Sequence, residues 1–521
     1  MTDKQHPEEH PVNDIGDDHV LAHDVDEEPV EANRRLFEGG MLKFVTLLAI
    51  AYSSFHLYSL NIAPLETWSF RIVHIAGALV LGFILFAGAR FVSAEDGPAR
   101  HRWTTWIGAV ALVPALYALY QTFSFHQMIL DGTQRVPVDL ETWHFGWPLL
   151  AASAIGIVMS WFHQRERSRF SVPDLVLIVC SVAVAAYFLV VYNTSMRMST
   201  GTSFAPVGIS FAAIAGTALI MELTRRVAGL ALVIIGLVFL VYVFLGPYLP
   251  GFLGYPGLSV QRFFSQVYTD AGILGPTTAV SSTYIILFIV FAAFLQASKV
   301  GDYFVNFAFA AAGRTRGGPA KVSIFASGLM GMINGTSAGN VVSTGSLTIP
   351  LMKKVGYSKR SAGAVEAAAS TGGQIMPPIM GAGAFIMAEI TGIPYTEIAI
   401  AAIIPAILYF ASVYFMVDFE AAKTGMRGMR EDELPKLKTM VKQCYLFVPI
   451  IILIVALFMG YSVIRAGTLA TVSAAVVSWF SPNKMGIRKI LEALEIASYM
   501  AIQIIVVCAA AGVIVGVISL T

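Results

Sequence analysis

Charge is scarce in this sequence. Only 13% of its 521 residues are Asp, Glu, Lys or Arg, against 56% hydrophobic residues, whereas a soluble globular domain carries about 25% charged residues. The shortage excludes a water-soluble enzyme and a disordered chain. With a mean hydropathy of +0.70, it predicts an all-α polytopic membrane protein. Cysteine is also sparse. Cys180, Cys444 and Cys508 stand far apart in or beside apolar stretches, which excludes a disulfide framework or zinc site and predicts buried, inert thiols. No Gly-Lys dipeptide occurs, so no P-loop can power this chain by ATP hydrolysis. The zinc-protease pattern H-E-x-x-H and the basic, aromatic stripe of a nucleic-acid binder are missing too.

The charge that is present is unevenly spread. Residues 1–40 hold 12 of the 33 acids and only Lys4, Arg34 and Arg35, a net of −9. Such a segment reads as a disordered, solvated acidic tail, and it lacks the basic start and apolar core of a signal peptide. The tail's histidines, His6, His10, His19 and His23, are expected to be solvated with it.

Apolar runs of about 20 residues predict spans near 42–60, 72–92, 104–123, 145–163, 173–192, 205–223, 229–249 and 280–298. Further spans are expected near 363–390, 396–417, 445–461, 466–480 and 497–520. With the N-terminus inside, 28 Lys and Arg residues fall on the cytoplasmic side and only Arg71, Arg135, Arg197, Arg262 and Arg465 outside, as the bias of basic residues requires.

That orientation places the basic clusters 314–321 and 353–360 on the same side, so the apolar stretch 322–352 must enter and return. Arms at 322–333 and 341–352 would each be about 18 Å of helix, too short for a hydrocarbon core about 30 Å thick. A re-entrant hairpin of two half-helices is predicted. Its tip reads Asn334-Gly335-Thr336-Ser337-Ala338-Gly339-Asn340. Non-helical backbone at that depth survives only inside protein or along a cavity. Its hydroxyls, amides and freed carbonyls are hard ligands for a small cation, and half-helix N-termini suit an anionic group. A second interruption follows in 363–390, where Ser370-Thr371-Gly372-Gly373-Gln374 precedes Pro377-Pro378. Glycines and prolines break the hydrogen-bond ladder, which predicts a discontinuous helix with halves near 363–371 and 378–390. Adjacent broken, hydroxyl-rich elements form the pattern of a secondary transporter's midplane site. A kink between closely packed helices is the plain alternative for each break taken singly.

Ionisable residues inside spans invite a functional reading; here these are His56, His74, Glu366 and Glu389. Glu366 lies one turn inside the cytoplasmic end of its span and Glu389 near the outer end, so both are expected to be hydrated. Asp418 and Glu420 belong to a cytoplasmic surface. Gly335-Thr336-Ser337-Ala338-Gly339 also matches the G-x-S-x-G nucleophile elbow, but that motif needs a strand-to-helix turn on a sheet, and nothing here reads as one.

The stretch 328–430, above all GMINGTSAGNVVSTGSLTIPLMKKVGYSKRSAGAVEAAASTGGQIMPPIMGAGAFIMAE, resembles the large membrane subunit of tripartite ATP-independent periplasmic (TRAP) transporters. It is most similar to fused permeases serving TAXI-type binding proteins. The resemblance implies a small-subunit-like membrane domain at 41–225 and a large-subunit-like transport and scaffold domain at 226–521. It also implies a bacterial inner-membrane importer with a cytoplasmic N-terminus and an elevator mechanism. Such an importer is driven by a sodium or, in some cases, proton gradient, and a periplasmic binding protein supplies it with an organic acid. Carried onto this chain, it implies a sodium site at Asn334, Gly335, Thr336, Ser337, Ser370, Thr371 and Gly373, by side chain or carbonyl. Substrate contacts would come from Gly339, Asn340, Gly372 and Gln374. Membrane lipid is the expected surrounding; no nucleotide cofactor and no nucleic acid are expected. One departure stands out. The family's large subunit has a second, inverted half, whereas this sequence stops in an apolar run at Ile518-Ser519-Leu520-Thr521 without a second polar hairpin. The expectation is that the second half is missing, either because the chain is a fragment or because another polypeptide supplies it. Alternatives are an elevator carrier without a binding protein, a membrane serine hydrolase using Ser337, and a structural protein without substrate.

Overall fold

The computed structural model describes residues 33–91, 102–162, 167–192, 205–431 and 434–521, without the side chains of Arg102, Asn334 and Ala338. The acidic segment up to residue 32, and Arg197, lie outside the described residues. Among the described residues, ten helices are long and apolar enough to cross a membrane, and three shorter apolar helices accompany them. Backbone polar groups in hydrocarbon must be satisfied within their own segment, and helices do this.

In chain order the helices are α1 (Gly39–Asn61), α2 (Thr67–Leu85), α3 (Arg102–Leu130), α4 (Leu140–Ser160), α5 (Val172–Val191), α6 (Val207–Val227), α7 (Leu230–Leu245) and α8 (Val260–Val267). Next come α9 (Pro276–Ala297, with a π turn at Ser281–Ile285), α10 (Val300–Ala312), α11 (Gly318–Asn334), α12 (Ser337–Lys354), α13 (Lys359–Gly372) and α14 (Ala382–Thr391). The last are α15 (Tyr395–Thr424), α16 (Leu437–Lys442), α17 (Cys444–Phe458), α18 (Val463–Ser478) and α19 (Ile487–Leu520). Ten of the thirteen expected spans are helices of membrane-crossing length. The elements beginning at Cys444 and Val463 are short helices, and the span at 363–390 is broken in two.

One hydrophobic core runs from Phe37 to Val517 and joins the first six helices to α9, α18 and α19. Small polar groups cross it. The Ser53 and Ser498 hydroxyls are 2.6 Å apart, and Ser498 donates to the Ala49 carbonyl at 2.6 Å. At one end of the bundle, buried Arg35 pairs with Asp174, which also accepts from Arg226 at 2.7 Å. Arg226 and Arg225 both reach Glu222, at 2.7 and 2.8 Å. The expected tail is therefore corrected at its end. Residues 33–37 are docked, with Asn33 donating to the Arg226 carbonyl at 2.8 Å and Phe37 in the core, because Arg35 finds a buried counter-charge. Cys180 and Cys508 are buried as expected, but Cys444 is exposed, in the short 3-10 turn that opens α17.

The hairpin ends remote from the tip have cores of their own. Ala320, Ile324, Met352, Tyr357, Val365 and Val417 pack together from α11 to α15, and Val305, Phe309, Val322 and Ala326 pack α10 against α11. Asp418 ties α15 to this end, accepting from Lys321 at 2.6 Å and Arg316 at 2.5 Å.

Candidate functional site

Two helix interruptions meet at one place. α11 ends where Gly335 turns to φ 60°, and α12 begins at once, its first turn capped by Thr336, whose hydroxyl accepts from the Gly339 amide at 3.3 Å. Only Gly335 and Thr336 are non-helical, so the arms are longer than expected, 17 and 18 residues. At about 26 Å each, they still fall short of a hydrocarbon core about 30 Å thick. Ser337, Gly339 and Asn340 lie in the first turn of α12 rather than in an open loop.

The second interruption is longer than the sequence predicts. α13 tightens into a 3-10 turn at Gly373–Ile375, passes the cis Pro377–Pro378 bond and Met380 at φ 55°, and resumes as α14 at Ala382 instead of 378. The Tyr395 hydroxyl faces the carbonyls of Pro378 and Ile379 at 2.7 and 2.6 Å, groups the break leaves without helical partners. Phe385 stacks on the Tyr395 ring, with centroids 4.2 Å apart.

Missing side chains let the two breaks touch. A Cβ on Gly331 would sit 2.3 Å from the Cα of Gly373, and one on Gly335 would sit 2.4 Å from the Met380 carbonyl oxygen. Gln374 donates to the Ser337 hydroxyl at 3.0 Å, bridging break and tip. The C-terminal ends of α11 and α13, with their free carbonyls, thus lie beside the N-terminal ends of α12 and α14, with their free amides.

Asn340 is the centre of this meeting. Fully buried, it donates from Nδ2 to the Ser327 carbonyl at 2.8 Å and, at a long 3.5 Å, to that of Ser370. Two carbonyl partners fix which amide atom is nitrogen, and its Oδ1 is left buried without a partner among the described residues. A buried unpaired acceptor costs about 1–3 kcal/mol, so this oxygen fits a cation or a donor. Gly373 lies against Asn340, since a Cβ there would meet its Nδ2 at 2.7 Å.

From Asn340 a buried polar strip runs away from the tip. The Ser327 hydroxyl lies 3.3 Å from that of Thr344 and 3.4 Å from that of Ser370. Beyond them, Glu366 is fully buried. Its carboxylate accepts from Ser323 at 2.8 Å, from Ser370 at 3.2 Å, and from Thr344 and Thr348. The expected hydration of Glu366 is therefore corrected. Both hairpin arms pack over α13, and Gly345 lets α12 approach closely, since a Cβ there would meet the Glu366 Cγ at 2.9 Å.

The other expected residues fall as follows. Thr371 is exposed and donates to the Ala367 carbonyl of its own helix at 2.8 Å, so only its backbone faces the break. Gly372 is buried against Tyr409, while Gln374 and Glu389 are exposed. The Asn334 side chain lies outside the described set. Ser337 meets Gln374, and among the described residues no histidine or carboxylate bonds to it, so no hydrolytic triad forms. His56 and His74 lie elsewhere, between α1 and α2. His56 Nδ1 donates to the Tyr52 carbonyl at 2.8 Å, so its Nε2 accepts from His74 Nδ1 at 2.8 Å, and His74 Nε2 meets Ser281 at 2.9 Å.

Sequence reasoning missed Ser323, Ser327, Thr344, Thr348 and the burial of Glu366. The signal was present in spacing: Ser323 and Ser327, Asn340, Thr344 and Thr348, and Glu366 and Ser370 recur every four residues, which aligns each set on one helix face.

Among the described residues, ten membrane-length helices and a helical hairpin meeting a broken helix fit a multi-pass membrane transporter component. Residues 215–521 match the family described as Tripartite ATP-independent periplasmic transporter, DctM component, and the chain belongs to that family. It is also similar to the C4-dicarboxylate TRAP transporter large permease protein DctM of Vibrio cholerae, at 37% identity over 91 residues, 18% of this chain and 20% of that protein. A second relative, uncharacterized protein y4mL of Sinorhizobium fredii, is 24% identical over 176 residues, 33% of this chain and 39% of that protein. The chain thus spans 39% and 20% of the lengths of these two relatives.

Proposed function

We propose that this chain is the permease component of an ion-driven importer of small organic acids, seated in a bacterial inner membrane with its N-terminus in the cytoplasm. A periplasmic binding protein of the TAXI type delivers the substrate. The observation that carries the reading is the buried Asn340 Oδ1, without a partner among the described residues, at the junction of hairpin tip and helix break. The carbonyls of the α11 and α13 ends lie beside it, hard oxygens that suit a sodium ion. In this reading Asn334, Gly335, Thr336, Thr371 and Gly373 contribute through the backbone, and Ser337 and Ser370 through hydroxyls. The N-terminal turns of α12 and α14 offer amides to a carboxylate, beside Gly339, Gly372 and Gln374. The C4-dicarboxylate named for the Vibrio cholerae relative is the first substrate class to try. Elevator movement is supported by the separate small cores that hold the hairpin ends.

The test is uptake of radiolabelled C4-dicarboxylates and other small carboxylates into proteoliposomes, using the complete reading frame, with and without its binding protein and a sodium gradient. Uptake requiring both is expected, with Asn340→Ala losing the response to sodium. Uptake indifferent to sodium overturns the ion assignment. Uptake without the binding protein favours a self-sufficient carrier.

A further inference from the structure

We propose that Glu366 anchors a sodium site of its own, one helical turn and more from the tip, in the oxygen cage between α11, α12 and α13. Its part in transport rests on the ion-driven reading above; its existence as a binding site does not.

Charge is the first argument. Glu366 is fully buried, and among the described residues no base pairs with it. Lys321, on the same arm as Ser323, is turned to Asp418 at 2.6 Å, and Lys353, Lys354, Lys359 and Arg360 are exposed. An isolated buried carboxylate is costly unless something neutralises it. The cage holds one carboxylate and otherwise neutral hydroxyls, so a monovalent cation balances it, whereas a calcium site takes several oxygen anions.

Hydroxyl accounting is the second. Thr344 and Thr348 each own one proton, and each has an acceptor one turn back: the Asn340 carbonyl at 2.8 Å and the Thr344 carbonyl at 3.0 Å. The Glu366 carboxylate oxygens compete for the same two protons, and where the helix carbonyl takes one, that threonine oxygen offers the carboxylate a lone pair instead of a donor. Together with Ser323, Ser370 and the two carboxylate oxygens, the threonine oxygens form a set of hard ligands. The strip as a whole has more acceptors than protons to fill them, and a cation supplies the difference.

Equilibrium binding of radioactive sodium to the full-length protein in detergent tests this, with choline chloride holding ionic strength constant. The parent is expected to bind sodium. In Glu366→Gln, losing the charged ligand is expected to remove one ion from the stoichiometry or raise the half-saturating concentration about tenfold or more. Glu366→Asp is expected to recover part of the binding, and Asn340→Ala to keep the component that depends on Glu366. If Glu366→Gln does not fold, Thr344→Val with Thr348→Val removes two ligands and keeps the charge, and weaker sodium binding is again expected. Parent-like binding in Glu366→Gln or in the double threonine variant overturns the proposal. A parent that binds no sodium also overturns it. The two readings separate cleanly: sodium-indifferent uptake by a protein that binds sodium at Glu366 defeats the coupling reading alone. Sodium-driven uptake with parent-like binding in Glu366→Gln defeats this site alone.

Discussion

A hydrogen atom in place of a methyl group at position 331 sets how closely the hairpin approaches the broken helix. A Cβ there would lie 2.3 Å from the Gly373 Cα, a backbone atom that cannot swing aside as a flexible side chain would. Gly331→Ala is therefore expected to destabilise the folded state by about 1–3 kcal/mol, the usual cost of overpacking, and to lower the unfolding midpoint in detergent. Gly363 is the matched control. It lies inside α13 with nothing within 4 Å of its would-be Cβ, so Gly363→Ala is expected to be neutral or to stabilise by about 0.5–1 kcal/mol. Equal midpoints for the two variants would show that the close approach of residues 331 and 373 is not a tight constraint. Glu366 belongs at the same scale and was harder to read. Its distance from the end of its span is visible in the sequence, but its burial depends on two other helices folding over it. The four-residue spacing of Glu366 and Ser370 marks a shared polar face, but not that two other helices cover it.

Among the elements, the break between α13 and α14 is held from outside. Pro377 and Pro378 cannot donate to a helix ladder, and the carbonyls around them turn to the Tyr395 hydroxyl of α15. Tyr395→Phe keeps the ring that stacks on Phe385 and removes only the donor, leaving two buried carbonyls short of a partner. An expected loss of about 1–3 kcal/mol follows. It is read as a lower unfolding midpoint and as faster hydrogen exchange confined to residues 376–391; uniform exchange with a parent-like midpoint would sink it. The same break shows where the sequence was legible and where it was not. Two glycines and two prolines announced an interruption, and the small polar residues 334–340 announced a hairpin tip, because only such residues tolerate those conformations. Their extents were not announced. Proline is at home in the first turn of a helix, so residue 378 reads as a fresh start. Yet the chain runs on through Met380 at positive φ and begins α14 only after Gly381. At the tip the error ran the other way: Thr336 caps α12 so early that Ser337, Gly339 and Asn340, polar enough to read as loop, lie within the helix.

At the scale of the whole molecule, the largest core runs across both the first six helices and the helices that follow. Ser53 meets Ser498 at 2.6 Å, Thr46 donates to Glu495 at 2.7 Å, His74 meets Ser281 at 2.9 Å, and the Phe188 and Tyr268 rings stack at 4.7 Å. The chain passes between the two parts at Ala228 and Gly229, a short turn between α6 and α7 in which Gly229 takes φ 85°. A covalent link at that point adds little to a surface already packed and hydrogen-bonded. Residues 1–228 and 229–521 expressed together as separate chains are therefore expected to copurify in mild detergent as one complex. Halves that elute apart would mean the shared core is too weak to stand without the linker. A further change sharpens the test. His74→Leu in the split protein removes the donor to His56 Nε2 and the partner of Ser281, leaving a buried acceptor unpaired at a cost of about 1–3 kcal/mol. The complex is expected to dissociate at a lower detergent concentration or temperature than the unsubstituted pair. If it does not, the His74–Ser281 contact contributes nothing to holding the parts together, and the remaining contacts of the seam join them.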